Sequence, residues 1–140
     1  MLERKTLVVL ACSDKRRFWE DAVGYAERVC PNDHIYLVAD FGGIKNIVGF
    51  PGSLFNHPTF QIIMELGYDR FMPFAHEDCA GYRRILEGLS KVQEEEYHIG
   101  EMRSFYIAVR EIIPLASIYP RYQKLNGAKT GLADTIPLKI

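Results

Sequence analysis

Two short stretches of this 140-residue chain carry side chains suited to holding a metal ion. His76-Glu77-Asp78-Cys79 sets an imidazole and a thiol three residues apart, and a tight turn there can aim both at one point. Cys12 offers a second thiol far earlier in the chain. Zinc takes thiolate and imidazole ligands tetrahedrally, and two Cys with one His leave a fourth position open, as in catalytic rather than structural zinc sites. Read singly, each residue is weak evidence. A Cys at the end of a strand is more often a small core residue, and His-x-x-Cys recurs by chance.

The surroundings of Cys12 add a second element, Cys12-Ser13-Asp14-Lys15-Arg16. Asp14 and Arg16 stand two apart, so in an extended or turning segment they lean to the same side. A guanidinium can grip a carboxylate with two hydrogen bonds and keep it ionised. Beside a metal, such a carboxylate could orient a nucleophile through a hydrogen bond, or swing in as a fourth ligand. The plainer alternative is that Asp14 caps a helix beginning near Lys15 while Arg16 is merely exposed. The residues alone leave both open.

These groups act together only if the fold brings them together. Thr6 to Ala11 is a continuous apolar run with β-branched residues, which predicts a strand buried on both faces. Phe18, Ala22, Tyr25, Ala26 and Val29 form one apolar helix face, stopped by Pro31-Asn32-Asp33. Ile35 to Val38 reads as a second strand, and Asp40 to Pro51 as a loop. A helix starts near Pro58, a residue suited to a first turn, and ends at Gly67. Arg70 to Ala75 reads as a third strand despite Pro73, which cannot donate to a ladder. A further helix is expected from about Gly81, with Tyr82, Ile85, Leu86 and Leu89 on one face. The stripe Phe105, Ala108, Val109, Ile112 and Ile113 predicts another, ending near Pro114. The tail from Ser117 offers a Gly127 to Gly131 turn between two short strands. Strands alternating with helices predict an α/β domain over residues 1–140, with a mostly parallel central sheet flanked by helices. Cys12 and His76 then fall at the carboxyl ends of the first and third strands, where ligands collect in such sheets.

Cys-x-Asp-x-Arg at the end of a first strand, followed much later by His-x-x-Cys, resembles the zinc signature of β-class carbonic anhydrases, with the resemblance running from Lys5 to about Val109. It implies that family's fold and a Zn2+ cofactor on Cys12, His76 and Cys79, with Asp14 and Arg16 as the catalytic dyad. It also implies hydration of carbon dioxide to bicarbonate by a zinc-bound hydroxide, since zinc brings the pKa of its water to roughly 7. The same resemblance implies a homodimer or higher homo-oligomer, and the chain's own aromatic content of 12% offers Phe50, Phe55 and Tyr106 as interface candidates. The chain departs from the family in several places. The helical arm before the first strand and a pocket glutamine have no counterpart. Val38-Ala39-Asp40-Phe41-Gly42-Gly43 stands where an Arg-x-Ala-Gly run is usual, and Ala80 separates Cys79 from Gly81. These changes spare the metal cage more than the substrate pocket. The alternatives are therefore a hydrolase of carbonyl sulfide or carbon disulfide, and an inactive zinc-binding protein of the same fold.

Composition narrows the partners. A net charge of -1 and a pI of about 6.4 give no electrostatic reason to expect nucleic acid or an anionic membrane. No apolar run approaches the ~20 residues of a membrane helix, and Leu7 to Ala11 is too short for a secretory core. Three cysteines make a poor disulfide framework and fit a reducing, cytoplasmic setting. Among other reactive residues, His34 reads as a polar strand end and His57 as a helix cap before Pro58. His98 is a proton shuttle only if it lies at the mouth of the site. Cys30 reads as packing, and Glu94-Glu95-Glu96 as a solvated charge run. Gly42-Gly43 lacks the Lys-Ser/Thr of a phosphate loop, and Arg16 follows Cys12 too closely for a phosphate-cradling phosphatase loop.

Overall fold

The computed structural model describes residues 4–14, 16–125 and 133–140. In chain order it forms β1 (Thr6–Cys12), α1 (Phe18–Val29), β2 (His34–Asp40), α2 (Lys45–Val48), a 3-10 turn (Leu54–Asn56), α3 (Pro58–Glu65) and β3 (Arg70–His76). A second 3-10 turn (Ala80–Tyr82), α4 (Arg83–Leu86), α5 (Lys91–Ile112), β4 (Ser117–Ile118), β5 (Arg121–Leu125) and β6 (Ala133–Pro137) complete it. The strands form one sheet in the order β2-β1-β3-β5-β6, with β4 also on β3. All pairings are parallel except the antiparallel β5–β6 pair at one edge. The expected α/β architecture, a mostly parallel sheet between helices, is what the chain adopts.

β1 is central and buried from Leu7 onward, so its side chains feed two cores by strand alternation. Val8 and Leu10 join Phe71 in packing against Ile44, Ile47, Leu54, Phe60, Ile63, Phe105 and Val109, the face covered by α2, α3 and α5. Leu7, Val9 and Ala11 join Met72 and Phe74 against Ala22 and Ala26 of α1. Pro73 is accommodated at a break. β4 pairs with β3 at Arg70 and Phe71, β5 takes over at Phe74, and Pro73 falls between them, where no ladder donor is required on that side.

Three expectations need correction. The Asp40 to Pro51 loop contains the helical turn α2, which buries Ile47 behind the buried Ile44. The helix expected from Gly81 is only the 3-10 turn and the four-residue α4; Gly88, at φ 79, follows it, and Ile85 and Leu89 are exposed rather than packed in a stripe. α5 begins well before the Phe105 stripe, at Lys91, behind a capping box in which Ser90 and Gln93 bond reciprocally. Glu94, Glu95 and Glu96 therefore lie at a helix end, where Glu96 is exposed as a solvated run would be but Glu94 turns inward. Glu94 is buried, and Glu95 pairs with Lys124 at 3.8 Å. The strands β5 and β6 match the two expected in the tail; the Gly127 to Gly131 turn lies outside the described residues. Of the aromatic residues expected at an interface, Phe55 is exposed, while Phe50 packs on the core and Tyr106 is half-buried under Arg110. Among the described residues, no helix is long and apolar enough to cross a membrane.

Phe105 anchors α5 to the sheet: it is fully buried, with ring centroids 6.5 Å from Phe60 and 6.4 Å from Phe71. Phe105→Ala is expected to cost about 3–5 kcal/mol in urea denaturation. A loss below about 1 kcal/mol would contradict this packing.

Candidate metal centre

The parallel pairing of β1 and β3 decides where the reactive groups meet. Val8, Val9 and Leu10 lie beside Phe71, Met72 and Pro73, so both strands run the same way and finish at one edge of the sheet. Cys12 continues the alternation of Val8 and Leu10. His76 continues that of Met72 and Phe74, the opposite face, and its ring stacks on Phe18 of α1 at 3.9 Å and 11°. The two side chains approach from opposite faces and converge over the strand ends. The chain then turns through Asp78, a non-glycine residue at φ 54, which returns Cys79 to the same point. The ligand atoms of Cys12, His76 and Cys79 all lie within 4.8 Å of one another, and all three residues are buried. The two sulfurs are 3.9 Å apart. A buried Cys-His-Cys group that could hold a metal ion is therefore in place.

The imidazole is oriented as a ligand. His76 Nδ1 lies 2.9 Å from the Glu77 carbonyl oxygen, which can only accept, so Nδ1 carries the proton. Nε2 is buried and without a hydrogen-bond partner. An orphaned buried nitrogen is costly, and a metal would satisfy it in the arrangement common to ligating histidines. The thiols make the same demand. The Cys79 thiol, with help from His76 and the Gly42 N–H 3.3 Å away, holds Cys12 well below the usual thiol range. Cys12 in turn pushes Cys79 upward, and burial adds to this. The pair keeps one proton between them, and a second thiolate needs a cation.

The Asp14 carboxylate accepts the Arg16 backbone N–H at 2.8 Å and the guanidinium at 2.7 Å and 3.2 Å. This grip, opposed by burial, holds Asp14 down to about 2. Asp14 does not cap α1. Its N-cap is Arg17, at φ 62, and no side chain caps it. Arg16 also donates to the Asp78 carbonyl at 2.6 Å and lies 3.4 Å from the Asp78 carboxylate, so one guanidinium ties the Cys12 segment to the His76–Cys79 turn. Ser13, Asp14, Arg16, Phe41, Asp78, Ala80 and Arg83 line a cleft of about 430 Å³. Asp14 lies outside the three-residue ligand group.

A supporting layer escaped the sequence reading. Gly42 and Gly43, both at positive φ, let the loop after β2 pass so close to Gly81 that a Cβ on Gly81 would sit 2.5 Å from the Gly42 Cα. That approach brings the Gly42 N–H to Cys12. Lys45 fastens the crossing by donating to the Gly81 carbonyl. Below the turn, Glu94 accepts the Asp78 N–H, and burial raises its pKa. The signal available beforehand was only the glycine pair and Gly81 following the Cys. His98 does not sit at a mouth. It is buried among Tyr82, Tyr97 and Tyr122, with Nε2 unpartnered. His34 is an exposed strand start, His57 caps α3 by accepting the Thr59 N–H at 3.2 Å, and Cys30 packs beside α1.

Two consequences can be measured. Gly81→Ala forces the crossing apart and is expected to cost about 1–3 kcal/mol in denaturation; a variant within about 0.5 kcal/mol of the parent would show that the loops yield freely. Burial, then the neighbouring His76, lowers the pKa of His98 from its ordinary 6.5 to about 4. The unfolded chain therefore binds the extra proton first. The stability held by neutral His98 is full above pH 6.5 and falls as the pH drops toward 4, by about 3 kcal/mol. His98→Gln should flatten that slope in denaturation curves between pH 4 and 7, and an unchanged slope would contradict the burial argument.

No protein-family model matches the chain, and no curated protein matches it either.

Proposed function

We propose that the chain is a zinc enzyme that hydrates carbon dioxide to bicarbonate, with a fold of the β-class carbonic anhydrase kind. The observation that carries this reading is the pairing of a Cys-His-Cys group with an Arg-clamped aspartate at the same strand ends. Two thiolates and an imidazole favour zinc among common divalent ions. Zinc, when bound, acidifies water so that a hydroxide nucleophile is available near neutral pH. Cys12, His76 and Cys79 would hold it, and the three-ligand count keeps one position for water.

The rest of the work falls to the chain's own side chains. Held down to about 2, Asp14 is ionised at every working pH and can only accept a hydrogen bond. It is thus suited to fixing the direction of a nucleophile's proton and lone pair. Arg16 keeps Asp14 in that state and, through Asp78, holds it in register with the ligand turn. Phe41, half-exposed at the cleft, offers an apolar wall to a small uncharged substrate.

The test is stopped-flow carbon dioxide hydration between pH 6 and 9 on protein of known zinc content. Zinc near one per chain, turnover that follows zinc, and loss of both in Cys12→Ser are expected. Asp14→Asn should keep zinc while turnover falls by about tenfold to a hundredfold. Full zinc with no turnover at any pH would overturn the carbonic anhydrase reading in favour of carbonyl sulfide, carbon disulfide or a binding role. A chain that takes up no zinc would overturn the metal centre itself.

A further inference from the structure

The turn that delivers Cys79 is held from both sides. Asp78, between the two ligands of the His76–Cys79 motif, has the left-handed backbone (φ 54) that non-glycine residues rarely adopt. Its carbonyl accepts from the Arg16 guanidinium at 2.6 Å. Its N–H is taken by Glu94, a residue of α5 that the proposed chemistry does not use. Glu94 is buried, lies in the first turn of its helix behind the Ser90–Gln93 capping box, and so sits where the helix dipole favours a carboxylate. It is placed there by a rigid 22-residue helix whose Phe105 and Val109 are locked in the core. A solvated glutamate would have no reason to be turned inward onto one backbone amide.

Resting on the metal-centre reading above, we propose that Glu94 is a positioning residue for the metal ligands. By holding the Asp78 N–H, it keeps the turn in the left-handed conformation that aims Cys79 at the same point as His76 and Cys12. Hydrogen-bond acceptance, not negative charge, is what the position requires. Glu94→Gln retains an acceptor oxygen and Glu94→Ala does not.

The experiment compares the parent chain, Glu94→Gln and Glu94→Ala by competitive zinc titration and by the visible spectrum of the cobalt-loaded proteins. Exchange of the Asp78 amide is followed by NMR in the metal-free proteins. Glu94→Ala is expected to lose about 10- to 100-fold in zinc affinity, the range found for partners that orient metal ligands. It should also shift the cobalt bands and expose the Asp78 amide to exchange. Glu94→Gln should stay within a few-fold of the parent in all three readouts. A Glu94→Ala protein with parental zinc affinity and cobalt spectrum overturns this inference while leaving the metal centre standing. So does a Glu94→Gln protein as impaired as Glu94→Ala. A parent chain that binds neither metal overturns the metal-centre reading, and this one with it; amide protection lost only in Glu94→Ala would then leave Glu94 as a structural clamp.

Discussion

Two thiols 3.9 Å apart in a buried pocket cannot both ionise unless a cation joins them, and much of this structure is arranged around that constraint. Cys12 is drawn toward the thiolate by Cys79, by His76 and by the Gly42 N–H, while Cys79 is driven the other way. The imidazole beside them presents an unpartnered nitrogen. Each group alone would be an ordinary buried residue. Together they leave two demands, a charge and a coordination, that one divalent ion meets at once.

Holding three such groups in place takes contributions from every layer of the fold. The sheet supplies two of them because neighbouring parallel strands end at one edge. The third needs the backbone itself to be bent. Asp78 accepts a left-handed φ, Gly42 and Gly81 allow two loops to touch, and Arg16, Lys45 and Glu94 fasten the results. The fasteners are charged groups bonded mainly to backbone atoms. The Arg16 and Lys45 bonds to backbone carbonyls are charge-assisted, the stronger kind, and fix geometry where apolar packing would tolerate slippage.

α5 shows what this costs in legibility. Its inward face runs Glu94, His98, Met102, Phe105 and Val109. The lower half reads as an amphipathic helix, whereas the upper half carries polar residues on the buried side because that side faces the candidate centre. A hydrophobic-periodicity reading takes those residues for solvated surface, since periodicity registers polarity and not the partner that satisfies it.

The sequence by itself determined the α/β class, the strands of the sheet core and the residue types of the candidate centre. Continuous β-branched runs and helical apolar stripes are local properties of the chain. It also held Cys12, Asp14, Arg16, His76 and Cys79 at spacings that could cooperate, without deciding between a dyad and a helix cap for Asp14. Only the tertiary structure removed the helix cap. Asp14 turns to Arg16, and α1 starts at an uncapped Arg17. Only it revealed the inward Glu94, the contact of Gly42 with Gly81 and the burial of His98, while reducing the expected helix after Gly81 to α4. Those outcomes depend on which segments lie side by side. That is fixed by strand pairing and helix docking between residues distant in the chain, to which local periodicity is blind.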